Sequence, residues 1–264
     1  MLDALIADLE AENRELDSFV SNLGETDWTR RTPFFEWTVR DQILHLYQVD
    51  RFGLVSLLEA TPFSETVARV RAHQAEGIPL SEKIREEFVG ALASDVLQTW
   101  RDSYQAIVQA LDDAPEGTRL DWFGPPMGVA SFATARLMEV WAHGQDIYDL
   151  FGATRVPTGR IRHICDLGVR TFGWSFRNRK LDVPDRPSVV LSGPQGETWD
   201  WPGSGEGLIE GAAIDFALVV TQRRAPDDVA LSAEGKVAQK WLDIAQCFAG
   251  APQERAAAGS RPQI

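Results

Sequence analysis

The amino-acid sequence predicts an α+β protein, in which an N-terminal four-helix bundle is followed by a smaller mixed α/β domain. Apolar residues recur at helical spacing through the first half, in four long segments with two extended connections. After Thr154, short β-prone runs stand between helical segments. We therefore predict a bundle at residues 1–153, a mixed domain at 154–250 and a flexible tail of small and polar residues at 251–264.

The first two helices have recognisable start or stop signals. Residues 2–23 carry the apolar period of an amphipathic helix, and Gly24 follows as a C-terminal stop. The second helix begins at Thr38, which we predict to be its N-cap, with Asp41 three residues later near the positive end of the helix dipole. Its apolar period continues to Leu58.

The connections on either side of the third helix are long. We predict short helices at 67–74 and 82–89 in the first of them, where Pro and Gly interrupt the pattern. The third helix takes Ser94 as its N-cap and ends before Pro115. A loop rich in Gly and Pro leads to the fourth helix, which runs from about residue 131 to 150.

The C-terminal half mixes the periods of helix and strand. The runs 188–191 and 197–201 flank a five-residue loop with two glycines, which predicts a β-hairpin. The remaining segments are predicted as helices at 161–176, 211–221 and 237–248 and as a strand at 229–231.

Composition and charge limit the partners. Asp and Glu number 39 against 26 Lys and Arg, for a net charge of −13, which disfavours nucleic acid and anionic membranes as partners. No apolar run reaches the ~18–20 residues of a membrane helix, and the first residues lack the basic start of a signal peptide. We expect a cytoplasmic monomer or homodimer that acts on a small molecule. Cys165 and Cys247 are expected to be buried thiols in a reducing compartment.

Three residues on two predicted bundle helices form a candidate metal site. Glu139 and His143 are four residues apart and share one helix face, while His45 lies between two leucines on another helix. A carboxylate and two imidazoles suit Zn²⁺ and similar ions, with positions left for water or substrate. Glu139 also has apolar neighbours, where an unpaired carboxylate is costly. A metal would remove that cost, as would an ion pair with Arg136.

Two segments around these residues resemble a known family. Residues 35–46, FEWTVRDQILHL, and residues 136–147, RLMEVWAHGQDI, resemble the DinB-like superfamily and, more closely, the metal-binding domain of mycothiol-dependent maleylpyruvate isomerases. The resemblance covers roughly residues 1–150 and has high specificity. It implies a DinB-like bundle in which His45, Glu139 and His143 bind a divalent metal ion.

A third motif extends the resemblance to the C-terminal half. Residues 211–216, GAAIDF, followed by Gln222-Arg223-Arg224, are similar to a motif of an actinobacterial subgroup whose second domain is sterol-carrier-like. The resemblance implies that Arg223, with Arg224 as a rival, holds anionic groups near the metal and is catalytic. The alternative is that both arginines pair with carbonyls at the end of their helix. For a second functional arginine in the N-terminal domain the sequence leaves four candidates, namely Arg69, Arg71, Arg85 and Arg101.

Other residues near the predicted ligands have two interpretations each. Trp37 and Trp141 flank ligands and are candidate walls of the site, although ordinary packing explains them equally well. Asp146, three residues after His143, is a candidate acceptor that orients an imidazole; the alternative is a solvent-facing Asp.

The leading functional hypothesis is an enzyme that uses a divalent metal, expected to be Zn²⁺, to activate a low-molecular-weight thiol. The resemblance implies that the thiol is mycothiol, used for S-transfer or for isomerisation by addition and elimination. Transferase-like chemistry is slightly favoured because the C-terminal motif belongs to the divergent subgroup. Two alternatives remain: a thiol-independent Lewis-acid hydrolase, cyclase or isomerase of secondary metabolism, and a non-enzymatic small-molecule binder with a structural metal.

Overall fold

The computed structural model describes residues 2–58, 62–255 and 257–261 and has two compact units, Met1–Leu150 and Phe151–Ile264. The first unit is helical and the second combines helices with a small sheet, which confirms the predicted α+β class. Within the described residues, no helix has the length and apolar character needed to cross a membrane. Cys165 and Cys247 are buried thiols, as predicted, and do not form a disulfide.

The helices of the first unit follow the predicted order. Its elements are α1 (Leu2–Val20), α2 (Val39–Leu58), α3 (Phe63–Ala75), α4 (Leu80–Glu87), α5 (Ala93–Asp112), β1 (Arg119–Leu120), β2 (Met127–Gly128) and α6 (Val129–Phe151). Strands β1 and β2 form an antiparallel pair inside the predicted loop between the last two long helices. The short helices α3 and α4 each begin earlier than predicted, directly after Pro62 and Pro79. A proline fixes the extended backbone that precedes a helix.

The bundle core forms where α5 packs against α1 and α2. Leu9 and Leu16 on α1 and Trp100 and Leu111 on α5 are almost completely buried, as their helical spacing predicts. Gly53 marks a close approach in this core. A Cβ at Gly53 would lie 2.6 Å from Phe132 Cζ and 2.9 Å from Ile107 Cδ1, so a larger residue would force the helices apart.

A buried ion pair connects α2 with α6. Arg136 Nε donates to Asp50 Oδ1 at 3.0 Å, and Arg136 Nη2 donates to the backbone carbonyl of Leu46 at 3.1 Å. The side chains of Asp50 and Arg136 are only 3% and 2% exposed. Because Leu46 follows His45 directly, this pair holds the two ligand-bearing helices in register.

The start of α2 confirms one predicted cap, and the start of α5 contradicts another. Thr38 N donates to Asp41 Oδ2 at 2.8 Å and Asp41 N donates to Thr38 Oγ1 at 3.2 Å, a reciprocal capping arrangement. Helix α5, by contrast, begins at Ala93, so Ser94 lies inside its first turn and is not the N-cap. Two carboxylates satisfy the free amides there instead, because Asp95 accepts from Leu92 N and Glu25 from Ala93 N.

In the part of the chain described, the second unit combines a four-stranded sheet with four α-helices. Along the chain, two of these helices precede the strands, one lies between two strands and one follows the last strand. Its elements are α7 (Ile161–Arg170), α8 (Phe172–Arg177), β3 (Ser188–Ser192), β4 (Thr198–Trp201), β5 (Leu208–Ala212), α9 (Ala213–Val220), β6 (Ser232–Glu234) and α10 (Lys236–Ile244). The strand order is β4-β3-β5-β6, with β3 and β5 parallel and the other pairs antiparallel. The β3–β4 pair confirms the predicted hairpin.

Four predictions in the second unit are wrong in detail. The helix predicted at 237–248 ends at Ile244. The helix predicted at 161–176 is interrupted at Thr171, which leaves the α-helical region of the backbone. The helix predicted at 211–221 begins only at Ala213, because residues 208–212 form β5. The strand predicted at 229–231 is displaced to Ser232–Glu234, where it pairs with β5. Strand pairing with residues distant in the chain decides the bounds of β5 and β6.

Candidate metal centre

Helices α2 and α6 bring the three predicted ligands together. His45 Nε2 and His143 Nε2 each lie 3.1 Å from Glu139 Oε2. Each of the three residues offers one ligand atom, and those atoms lie within 4.8 Å of one another. The side chains of His45 and Glu139 are about a quarter exposed, whereas that of His143 is 5% exposed. The cluster therefore has one partly open side.

The donor set and its spacing fit a divalent metal ion. Ligand atoms that bind Zn²⁺ at about 2.0–2.2 Å lie about 3.0–3.5 Å apart at tetrahedral or octahedral angles. The two nitrogen-to-oxygen distances of 3.1 Å fall in this range. Two imidazoles and one carboxylate also form a ligand set typical of sites with an open coordination position.

The charge of Glu139 is stabilised inside the cluster. Burial alone would raise the pKa of Glu139, but the adjacent imidazoles of His143 and His45 outweigh it and hold that pKa well below its usual range. Arg136, the cation that the sequence offered as a partner for Glu139, pairs with Asp50 instead. Glu139 is therefore an anionic candidate ligand that faces two imidazoles.

A buried amide contacts the other side of His143. Gln42 Oε1 and His143 Nδ1 form a short hydrogen bond, and Gln42 Nε2 donates to Thr32 Oγ1 at 2.7 Å. Gln42 and Thr32 are 0% and 2% exposed. Neither residue was predicted from the sequence to belong to the site. One available signal is spacing, since Gln42 precedes His45 by three residues and lies on the same face of α2.

Aromatic rings cover the imidazoles. The ring of Trp37 stacks on His143 with a centroid distance of 5.9 Å and lies 5.4 Å from His45, while Phe34 packs edge-on against His143 at 5.2 Å. Both rings belong to a turn in which Phe35 and Glu36 have φ values of 46° and 59°. Non-glycine residues rarely adopt this left-handed conformation, so the turn holds Trp37 over the ligands at a cost in backbone energy.

The other predicted residues on α6 are buried. Asp146 is 0% exposed, so its interpretation as a solvent-facing residue is wrong. Trp141 is also buried, at 2% exposure. The roles of Asp146 in orienting an imidazole and of Trp141 in lining the site stay predictions. At His143 Nδ1, the structure shows a hydrogen bond with Gln42.

Arg223 and Arg224 lie in the second unit, in the turn that follows α9. Arg223 donates from Nη1 to the carbonyl of Thr221, and Arg224 donates from Nη1 to the carbonyl of Arg223, each at 2.7 Å. They thus bind carbonyls at the end of their own helix, although both are buried rather than exposed. A role for Arg223 in holding anions stays a prediction.

A cavity of about 230 Å³ opens between α2, α3 and α4. Gln48 lines it and follows His45 by three residues, so the two positions are about 4.5 Å apart along the axis of α2. Its floor is apolar, with Val55, Val70 and Ile84, and its rim carries three cations, Arg51, Arg69 and Lys83, and one carboxylate, Glu87. In an acidic chain, such a cavity suits an organic anion with an apolar body.

The four candidate arginines of the first unit differ in their surroundings. Arg85 Nε donates to Asp41 at 2.6 Å, and Arg101 forms a two-pronged pair with Asp17. Arg71 lines a separate cavity with Trp122. Arg69 alone of the four lines the cavity beside Gln48.

Comparison with known proteins gives concordant matches. A family model described as the mycothiol maleylpyruvate isomerase N-terminal domain matches residues 9–148. Two relatives, named as uncharacterized proteins of Mycobacterium tuberculosis strains CDC 1551 and H37Rv, are each 41% identical over 249 residues, which is 94% of this chain and 96% of theirs. Crystal structures of the mycothiol-dependent maleylpyruvate isomerase and of a mutant of it align with TM-scores of 0.59 and 0.58 at 13% identity, over 89% of this chain and 93% of theirs. At that identity the alignment shows a shared fold.

Proposed function

The chain belongs to the family of the mycothiol maleylpyruvate isomerase N-terminal domain, and on that premise we propose that it is an enzyme that uses a divalent metal ion to activate a low-molecular-weight thiol. The observation that carries the proposal is the convergence of His45, Glu139 and His143 on one point. Zn²⁺ is the proposed ion because two imidazoles and a carboxylate are among its usual ligands. Mycothiol is the proposed thiol, since family members are named for it.

The protein's own residues supply the rest of the chemistry. A Zn²⁺ ion at these ligands would lower the pKa of a bound thiol, so that the sulfur is a thiolate nucleophile near neutral pH. Glu139 provides the one negative charge among the ligands, which leaves the site cationic and favourable for a thiolate. Trp37 and Phe34 exclude water from one side of the two imidazoles.

The cavity beside Gln48 is the proposed position of the electrophilic substrate. Arg69 on its rim donates from Nη2 to Thr66 Oγ1 at 3.1 Å, and its remaining donors are available to a carboxylate. Arg51 lies at the same rim, while Lys83 there pairs with Glu86 at 2.8 Å. Gln48 and His45 are neighbours on one face of α2, so an organic acid bound there would lie on the same side of that helix as the proposed thiolate.

Metal analysis followed by thiol titration tests the proposal. We expect one equivalent of bound Zn²⁺ in the purified protein, heat on titration with mycothiol, and mycothiol-dependent turnover of maleylpyruvate as the first substrate assayed. His143→Ala should lose both the metal and the turnover, because it removes one of three ligands. The matched control is His163→Ala, whose imidazole lies outside the cluster and outside the lining of the cavity.

Each outcome has a defined meaning. One equivalent of metal retained in His143→Ala would show that the ligand assignment is wrong. Metal binding without any response to mycothiol would refute the thiol and leave a Lewis-acid enzyme in its place.

A further inference from the structure

We infer that a cavity at the start of α2 binds the neutral, hydroxyl-rich body of the thiol whose sulfur the proposed function places on the metal. The inference rests on that function and deepens it, because it assigns a chemical class of thiol to residues of this chain. The cavity has a volume of about 520 Å³ and is lined by the turn before α2, the first turn of α2 and Arg85 of α4. We call it the Phe35 cavity, after the aromatic residue at its edge.

The Phe35 cavity and the cavity beside Gln48 lie on either side of His45 along α2. The residues of α2 that line the Phe35 cavity, Arg40 and Asp41, precede His45, whereas those that line the other cavity follow it. Asp41, His45 and Gln48 recur at intervals of four and three residues, so they share one face of the helix. A reaction between a thiol and an electrophile needs room for two molecules, and this face offers one cavity for each.

The ring of Phe35 is exposed although its backbone is constrained. Phe35 is 64% exposed, and the φ values of 46° and 59° at Phe35 and Glu36 place two consecutive residues in the left-handed region. Such conformations cost backbone energy and cluster at binding sites. Phe34 packs edge-on against Phe35 with a centroid distance of 4.7 Å and edge-on against His143 at 5.2 Å. The Phe35 cavity is therefore two ring contacts from a candidate metal ligand.

The charges around the Phe35 cavity nearly balance. Three arginines and two carboxylates line it, and each arginine forms an ion pair. Arg31 pairs with Glu36 at 3.2 Å. Arg85 pairs with Asp41 at 2.6 Å, and the third arginine pairs with Glu25. Because its cations are paired, this cavity favours a neutral ligand over an anion, in contrast to the cavity beside Gln48.

The paired arginines still offer hydrogen-bond donors. Arg31 donates to Glu36 through Nη1 alone. Arg85 donates to Asp41 through Nε alone. Within the described residues, the other guanidinium N–H groups of these two arginines have no acceptor. A hydroxyl group both donates and accepts, so it matches N–H groups that stand beside carboxylate oxygens.

Together these groups fit a sugar or cyclitol ring. The exposed face of Phe35 carries the negative side of its quadrupole, against which the C–H groups of such a ring can pack. The hydroxyl groups would meet the arginines and carboxylates. A thiol of this class carries its cysteine on a polyol, as mycothiol does on glucosamine and inositol. Glutathione, a peptide with two carboxylates, lacks these features.

Calorimetric titration of the zinc-loaded protein with three thiols tests the assignment. The thiols are mycothiol, glutathione and N-acetylcysteine amide, which has the thiol but no polyol body. We expect mycothiol to bind at least about tenfold more tightly than the other two, since only its body can make hydrogen bonds in the Phe35 cavity. Equal affinities for mycothiol and N-acetylcysteine amide would overturn the inference, because the body would then contribute nothing.

Two variants at the rim test the residues. Phe35→Ala removes the exposed ring and Arg31→Met removes the donors; both side chains are more than half exposed, so the fold should be kept. Each variant should bind mycothiol about three- to tenfold more weakly and bind N-acetylcysteine amide as tightly as the wild type. The control is Leu58→Ala, which removes an exposed apolar side chain at the other end of α2.

Unchanged mycothiol affinity in both rim variants would overturn the inference. Phe35 also contacts Phe34, so Phe35→Ala could weaken both thiols through the metal centre; Arg31→Met decides in that case.

The polyol body alone separates this inference from the proposed function. Glucosaminyl-inositol, which is mycothiol without its cysteine, should bind the metal-free protein weakly in saturation-transfer NMR, and Phe35→Ala should remove that signal. A zinc-loaded protein that responds to no thiol would overturn the proposed function. Binding of glucosaminyl-inositol to such a protein would still support the Phe35 cavity as a polyol site, and its failure to bind would overturn the inference as well.

Discussion

Replacing Arg136 by Met tests how the bundle holds its ligand-bearing helices together. Arg136 is buried between α2 and α6 and makes two charge-assisted hydrogen bonds, one to Asp50 and one to the Leu46 carbonyl. Methionine fills a similar volume without a charge. The substitution would leave the carboxylate of Asp50, which is 2% exposed, without its cation.

The size of the effect follows from these contacts. A hydrogen bond to a charged group contributes about 1.5–3 kcal/mol, and removal of one member of a buried ion pair costs about 3–5 kcal/mol. We expect Arg136→Met to lower the free energy of unfolding by about 3–5 kcal/mol. Adding Asp50→Leu to the same chain removes the unpaired charge, so the double variant should recover most of that loss.

The loss should also depend on pH with a definite sign. Burial raises the pKa of Asp50 even with Arg136 beside it, and removing Arg136 takes away the main opposing contribution. A carboxyl whose folded pKa exceeds its unfolded pKa stabilises the fold at low pH, and this contribution is lost as the pH rises through the folded value. The deficit of Arg136→Met should therefore be smaller near pH 4 than at pH 7.

Urea unfolding, detected by hydrogen exchange in peptides from α2 and α6, measures this deficit. A local measurement is needed because the chain has two units. The reasoning would be refuted by a loss below about 1 kcal/mol at pH 7, the level of an exposed ion pair. A deficit that grows towards acid pH, or a double variant as unstable as the single one, would refute it equally.

Two further predictions concern the cavity and the cap of α2. Arg69→Gln should raise KM for an organic-acid substrate about tenfold by removing a charged hydrogen bond, with bound zinc unchanged; equal KM values would exclude Arg69 as a substrate ligand. Asp41→Asn should cost about 1 kcal/mol at pH 7 in thermal unfolding. Burial raises the pKa of Asp41, but hydrogen bonds from Arg85 and Thr38 outweigh it and lower that pKa below 3.8. The stabilisation is therefore present above pH 3.8 and lost below it, so a deficit that persists at pH 2 would contradict this account.

The chain order of helices and the identity of the three clustered residues were predictable without coordinates. Helical spacing places the core residues, as Trp100 and Leu111 show. Glu139 and His143 share a face because they are four residues apart on one helix. These features depend on residue type and on short separations along the chain, and both can be read directly from sequence.

The partners of buried polar groups were not predictable in this way. The sequence made Arg136 a candidate ion-pair partner of Glu139, whereas in the structure Arg136 forms its ion pair with Asp50. The contacts of Thr32 and Gln42 could not be predicted, because these two residues meet beside His143 only when the turn packs against α2. In the second unit, β5 forms because it pairs with β3, which lies about twenty residues earlier in the chain.

The sequence by itself determined which groups are able to bind a metal and on which helices they lie, since periodicity and residue chemistry are local properties. Only the tertiary structure decided which hydrogen-bond acceptor each buried donor meets. The physical reason is that such partners come from distant parts of the chain, and packing of the whole bundle selects them.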